Sequence, residues 1–151
     1  KVPHSWDYAH DEIGYNYRMD SFQAAVLSIK LKRLDGWNAV RRERAQHYTE
    51  LLAQTACQAP ASFSDSESVW HCYVIEAEQR DAARKKLSDA GIDTAIHYPV
   101  PLHLQKVYAG LGYGAGSFPV SERMANRCLS LPIYPELTNE GIEAVVSALR
   151  A

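Results

Sequence analysis

Val69-Trp70-His71-Cys72-Tyr73-Val74-Ile75 decides the fold class, because seven residues rich in β-branched and aromatic side chains read as a strand. Working back from it, residues 54–68 are Ala, Gln, Ser and Pro with few large apolar groups, a loop. Before that loop, Leu27, Leu31, Leu34, Trp37, Ala45, Tyr48 and Leu52 recur mostly at steps of three and four, with Lys, Arg and Glu between them. That spacing predicts one long amphipathic helix, started by Asp20 or Ser21 and running to about Leu52. Unbroken, it would reach on the order of 50 Å at ~1.5 Å per residue, so a bend is expected, placed here at Gly36. Residues 1–15 show no period and read as an irregular arm.

Working forward, residues 80–90 form a helix that ends where Gly91 can take a left-handed conformation. Thr94-Ala95-Ile96-His97-Tyr98 is a second strand, stopped by Pro99 and Pro101. A short helix over 103–111, a glycine-marked loop and a helix over 120–128 opened by Pro119 come next. Leu129-Ser130-Leu131-Pro132 is a third short strand, and Thr138 caps a last helix to Leu149. The order predicts an α/β (α+β) fold, a small sheet of about three strands covered by helices and preceded by one long helix. Residues 1–18 form the arm and connection, and 19–151 a single domain.

Composition narrows function. With 151 residues, 46% of them hydrophobic and 23% charged, the chain has ordinary globular content. A net charge of −2 argues against a nucleic-acid or membrane-surface binder. No apolar run is long enough to span a bilayer. Cys57, Cys72 and Cys128 lack C-x-x-C spacing and read as reduced thiols of a cytoplasmic protein. Six histidines share no helical i,i+4 spacing, so no metal site is expected. His71 and Cys72, as neighbours on a strand, should point to opposite faces and form no nucleophile–base pair. The Arg41-Arg42-Glu43-Arg44 run reads as a solvated helix face. No glycine-rich phosphate loop follows a strand.

Two stretches stand out. Gly14-Tyr15-Asn16-Tyr17-Arg18-Met19 places an amide and a guanidinium ahead of a helix start, where backbone N–H groups favour an anion, most naturally phosphate. An N-capping turn with no ligand is the plainer alternative. His97-Tyr98-Pro99-Val100-Pro101-Leu102-His103 stiffens a turn after a strand end with two prolines and aims two imidazoles and a phenol at one mouth. A rigid surface turn is the alternative there.

The first stretch, extended through Asp20-Ser21-Phe22-Gln23-Ala24-Ala25, and the second, extended through Leu104-Gln105, resemble one family. Phe118-Pro119-Val120-Ser121-Glu122-Arg123 and Leu129-Ser130-Leu131-Pro132-Ile133-Tyr134-Pro135 continue the match in order and spacing. The chain resembles the C-terminal, small domain of the pyridoxal-phosphate-dependent sugar aminotransferases, the DegT/DnrJ/EryC1/StrS group of fold-type-I enzymes. The resemblance implies that Asn16, with Arg18 in the same motif, meets the cofactor phosphate of a neighbouring subunit. It implies that His97 and Tyr98, with His103 nearby, meet the nucleotide-sugar substrate. It also implies pyridoxal 5'-phosphate as the parent cofactor, a nucleotide-linked keto-sugar and glutamate as substrates, and a homodimer.

The resemblance covers only the C-terminal part of that family. None of Lys1, Lys30, Lys32, Lys85, Lys86 or Lys106 sits in a context like the family's Schiff-base lysine. Transamination needs such an amine to hold the cofactor and move a proton. The chain alone is therefore expected to bind no cofactor and to be inactive. The alternative is a stand-alone, non-catalytic domain that dimerises or binds a nucleotide sugar.

Overall fold

A computed structural model of the chain describes residues 18–150, and the chain divides after Arg33 into two units. In the first, α1 spans Ser21–Leu31. Asp20 starts it, its carboxylate accepting the Gln23 N–H at 2.7 Å. Of the two cap candidates it is therefore Asp20 that serves. No α1 residue is buried, and Phe22, Ile29 and Leu31 are exposed.

The second unit opens with α2, Leu34–Leu52. The long helix is interrupted at Lys32 and Arg33, where the Arg33 N–H bonds the Lys30 carbonyl, a three-residue step in place of the helical four. Gly36 lies inside α2. A glycine lowers helix propensity by about 1 kcal/mol but does not by itself bend a helix.

The remaining elements are β1, Tyr73–Glu76; α3, Arg80–Asp89; α4, Pro119–Arg127; β2, Cys128–Leu131; and α5, Asn139–Arg150. The strands pair antiparallel, with Tyr73 opposite Leu131, Val74 opposite Ser130 and Ile75 opposite Leu129. Alternation along a strand gives this small sheet two different faces. Tyr73, Ile75, Leu129 and Leu131 belong to the core, together with Ala45, Tyr48 and Leu52 of α2, Leu87 of α3, and Ile142, Val145 and Val146 of α5. Val74, Cys128 and Ser130 take the other parity, and each of them lines a cavity.

The sheet has two full strands among the described residues where about three are expected. The stretch 94–98 contributes a single antiparallel bridge, Ala95 to Ser130, with N–H to carbonyl bonds of 3.2 and 2.8 Å. Pro99 and Pro101 follow at once and offer no N–H to continue a ladder. The first strand also starts later than its composition predicts. Trp70 has φ +48°, a left-handed conformation that no strand accommodates, and its carbonyl accepts from Arg41. The same guanidinium nitrogen donates to the Ile133 carbonyl at 2.8 Å and so ties both strand ends to α2.

The two phenols inside the core are satisfied. The Tyr48 hydroxyl donates to the Pro132 carbonyl at 3.0 Å, and Tyr73 shares a 2.7 Å bond with Thr49. The two rings stack at 5.0 Å, and burial pushes both phenols above their ordinary pKa. Gly91 is left-handed after α3 at φ +74°, and the Thr138 hydroxyl accepts the Gly141 N–H at the start of α5, as the sequence leads one to expect.

Candidate functional site

The turn after the Ala95 bridge borders a cavity of about 870 Å³. His97, Tyr98 and His103, the three residues that the resemblance links to substrate, all line it. The short helix expected over 103–111 is instead two 3₁₀ turns, Leu102–Leu104 and Lys106–Leu111, parted at Gln105. They carry Tyr108 and Leu111 into the cavity wall, and Tyr113, Phe118, Val120 and Met124 continue it.

The two imidazoles sit in different environments. His97 is exposed, and its Nδ1 lies 2.8 Å from the Ser130 hydroxyl on β2. Its peptide bond to Tyr98 is cis. His103 has a side chain only 7% exposed, and its Nε2 lies 3.0 Å from Glu122 Oε1. Phe118 packs edge-on against the same ring at 4.9 Å, and Tyr113 against Phe118 at 5.0 Å.

Glu122 gathers this end of the cavity. Both its oxygens accept the Gly116 N–H at 2.9 Å, and Oε1 also accepts the Phe118 N–H at 3.3 Å. The bond from Phe118 is a backward-reaching cap, in which Glu122, four residues on, accepts from the residue that precedes α4. Hydrogen bonds from Gly116 first, then from Phe118 and His103, hold the Glu122 carboxyl below its usual pKa against a smaller opposing effect of desolvation.

A smaller cleft of about 320 Å³ lies beyond His97 and is lined by His71, Cys72, Asp93 and Ser130 among others. His71 and Cys72 precede β1, so the rule of alternating strand faces does not govern them, and both line this cleft. No hydrogen bond joins them among the described residues. All three cysteines are free, and no group of three or more His, Cys, Asp or Glu could hold a metal among the described residues. No helix among them is long and apolar enough to cross a membrane.

Asn16 lies outside the described residues. Arg18 is exposed, ahead of α1 in the first unit. Ser130 and Glu122 are the polar residues that sequence reasoning missed. Each had a signal: Ser130 is the lone hydroxyl in an otherwise apolar strand, and Glu122 follows a Phe-Pro helix start.

The larger cavity does not fit pyridoxal phosphate. Among the described residues its lining contains no lysine to bond the aldehyde, no arginine to face the phosphate dianion and no carboxylate to face the ring nitrogen. Apolar walls with a few hydroxyls and imidazoles suit an uncharged, oxygen-bearing group better.

The family model of the DegT/DnrJ/EryC1/StrS aminotransferases matches residues 2–150. The erythromycin biosynthesis sensory transduction protein EryC1 of Saccharopolyspora erythraea is 47% identical over 145 residues, 95% of this chain and 40% of that protein. The dTDP-3-amino-3,4,6-trideoxy-alpha-D-glucose transaminase of Streptomyces venezuelae is 42% identical, over 95% of this chain and 38% of that protein. Among solved structures, S. venezuelae DesV superposes with a TM-score of 0.84 at 42% identity, over 95% of this chain and 39% of that one. An aminotransferase from Brucella abortus superposes at 0.82 and 36% identity, over 95% and 38% of the two chains. The chain thus spans about two fifths of the length of the curated relatives it matches.

Proposed function

The chain belongs to the DegT/DnrJ/EryC1/StrS aminotransferase family, and from that premise we propose that it is the C-terminal domain of a nucleotide-sugar aminotransferase. Pyridoxal phosphate is the cofactor of that family. The whole enzyme moves an amino group from glutamate to a keto-sugar carried on a nucleotide, in the cytoplasm and as a homodimer. In this reading His97 and Tyr98 meet the nucleotide sugar, and His103 shapes the same cavity. Asn16 and Arg18 meet the cofactor phosphate of the neighbouring subunit. The 151 residues alone do not transaminate, because a lysine in the family's catalytic context is needed to move the proton.

One observation carries the reading. The three residues that the family resemblance links to substrate line a single cavity, on the sheet face opposite the core. Two curated relatives are named as transaminases of dTDP-linked deoxysugars, which supports a nucleotide-linked substrate. The exposed Phe22, Ile29 and Leu31 of α1 support association, because apolar groups clustered on one helix are seldom left to water.

The test is borohydride reduction of the purified chain mixed with pyridoxal phosphate, followed by peptide mass spectrometry. No stoichiometric adduct at a single lysine is the expected result. A unique adduct in a one-to-one ratio would show that one of the six lysines serves, and would restore an independent enzyme.

A further inference from the structure

In β2, Cys128-Leu129-Ser130-Leu131, every residue is buried and only one is polar. Ser130 is 6% exposed, and it is the one buried polar residue among those described. Its backbone N–H and carbonyl are both spent on Ala95, at 2.8 and 3.2 Å. Its hydroxyl has a single protein partner among the described residues, His97 Nδ1 at 2.8 Å.

A hydroxyl brings one hydrogen, and a buried hydrogen without an acceptor loses its solvation and gains nothing in return. Had Nδ1 carried the imidazole hydrogen and donated it to Ser130, the serine hydrogen would have no protein acceptor within reach. Had Nδ1 been bare, the serine would donate to it and both groups would be satisfied. The second arrangement leaves the imidazole hydrogen on Nε2. The bond made by one ring nitrogen sets what the other presents. His97 Nε2 has no protein partner among the described residues, and His97 lines both the larger cavity and the smaller cleft.

We propose that Ser130 is a positioning residue that holds His97 in the Nε2–H form, so that His97 offers a hydrogen-bond donor to an oxygen of a nucleotide-linked sugar. The inference rests on the reading that His97 meets that substrate. It makes His97 a recognition group for a carbonyl or hydroxyl oxygen of the sugar and gives it no role as a base. It also gives a reason for a serine in a strand whose other three positions are apolar.

The test is a nitrogen-15 spectrum of the imidazoles in the full 151-residue chain, with His97 assigned by its loss in His97→Ala. Wild type should show Nδ1 in the unprotonated region and Nε2 in the protonated region. Ser130→Ala should move both toward tautomer-averaged positions, and Ser130→Thr should restore them. Binding of thymidine-diphosphate glucose should weaken roughly five- to tenfold in Ser130→Ala and recover in Ser130→Thr, the size of one lost hydrogen bond. A proton on Nδ1 in wild type would overturn the proposal, as would an unchanged His97 pattern in Ser130→Ala. If Ser130→Ala fails to fold, the wild-type spectrum decides alone. If the tautomer is as expected but thymidine-diphosphate glucose leaves His97 undisturbed, Ser130 still positions the ring and the nucleotide-sugar reading falls.

Discussion

His97 and His103 stand at the two ends of one proline-stiffened turn and line one cavity, yet they have exchanged exposure for anchoring. His97 is exposed and held at one nitrogen by a buried hydroxyl, with the other nitrogen open. His103 is covered, packed on Phe118, and held at Nε2 by a carboxylate that also binds Gly116 and Phe118. Residue type alone gave these two imidazoles the same standing. What separates them is the number of neighbours already satisfied by each. His97 is free to meet a ligand, and His103 is tied to Glu122, the α4 residue that latches the glycine loop through Gly116.

The largest effect is expected where the contrast should vanish. Leu129 lies on the core face of the same strand as Ser130 and is fully buried. Leu129→Ala should cost about 3 kcal/mol, read as a lower midpoint in urea unfolding, and should weaken support for both histidines together. His103→Ala comes next. Losing a covered ring and its hydrogen bond to Glu122 should cost about 2 kcal/mol in the same measurement, with the cavity wall at Tyr113 and Phe118 loosened.

A third prediction concerns acid. The Glu122 carboxyl is held below its usual pKa chiefly by the Gly116 N–H, so it stabilises the fold fully above the ordinary glutamate range. That contribution is lost as pH falls through the depressed native value. Glu140 is lowered too, by hydrogen bonds at the start of α5, and contributes acid loss of its own. Glu122→Gln should therefore make stability less steep below the ordinary glutamate range and leave the Glu140 part in place. An acid profile identical to wild type would remove the latch from the account.

The smallest effect on stability is expected at the other end of the turn. His97→Ala removes an exposed ring but also the Ser130 hydroxyl's partner, and should cost about 1 kcal/mol, less than His103→Ala. Its binding of thymidine-diphosphate glucose should nevertheless fall about tenfold or more. A large loss of stability in His97→Ala would place His97 with His103 and erase the contrast.

The element order was legible in the sequence because each segment carries its own signal. The Tyr73 to Ile75 run, the Asp20 cap, Gly91 and Thr138 all act locally. The departures came where a distant residue decides. Trp70 is taken out of the strand with its carbonyl bound by Arg41, 29 positions earlier. The break at Lys32 and Arg33 carries neither Gly nor Pro to announce it. The same holds for the site. Two prolines and two histidines marked the mouth, but Ser130 is 33 positions from His97 and Glu122 is 19 from His103. Only the antiparallel register and the loop closure bring those partners into contact.

The most direct test is a titration of thymidine-diphosphate glucose into the wild-type chain while the carbon-bound ring protons of His97 and His103 are followed by nuclear magnetic resonance. A saturable shift at His97 with His103 nearly still is the expected result. A shift at His103 with His97 unmoved would contradict the assignment of the two ends, and no shift at either would take the nucleotide sugar out of this cavity.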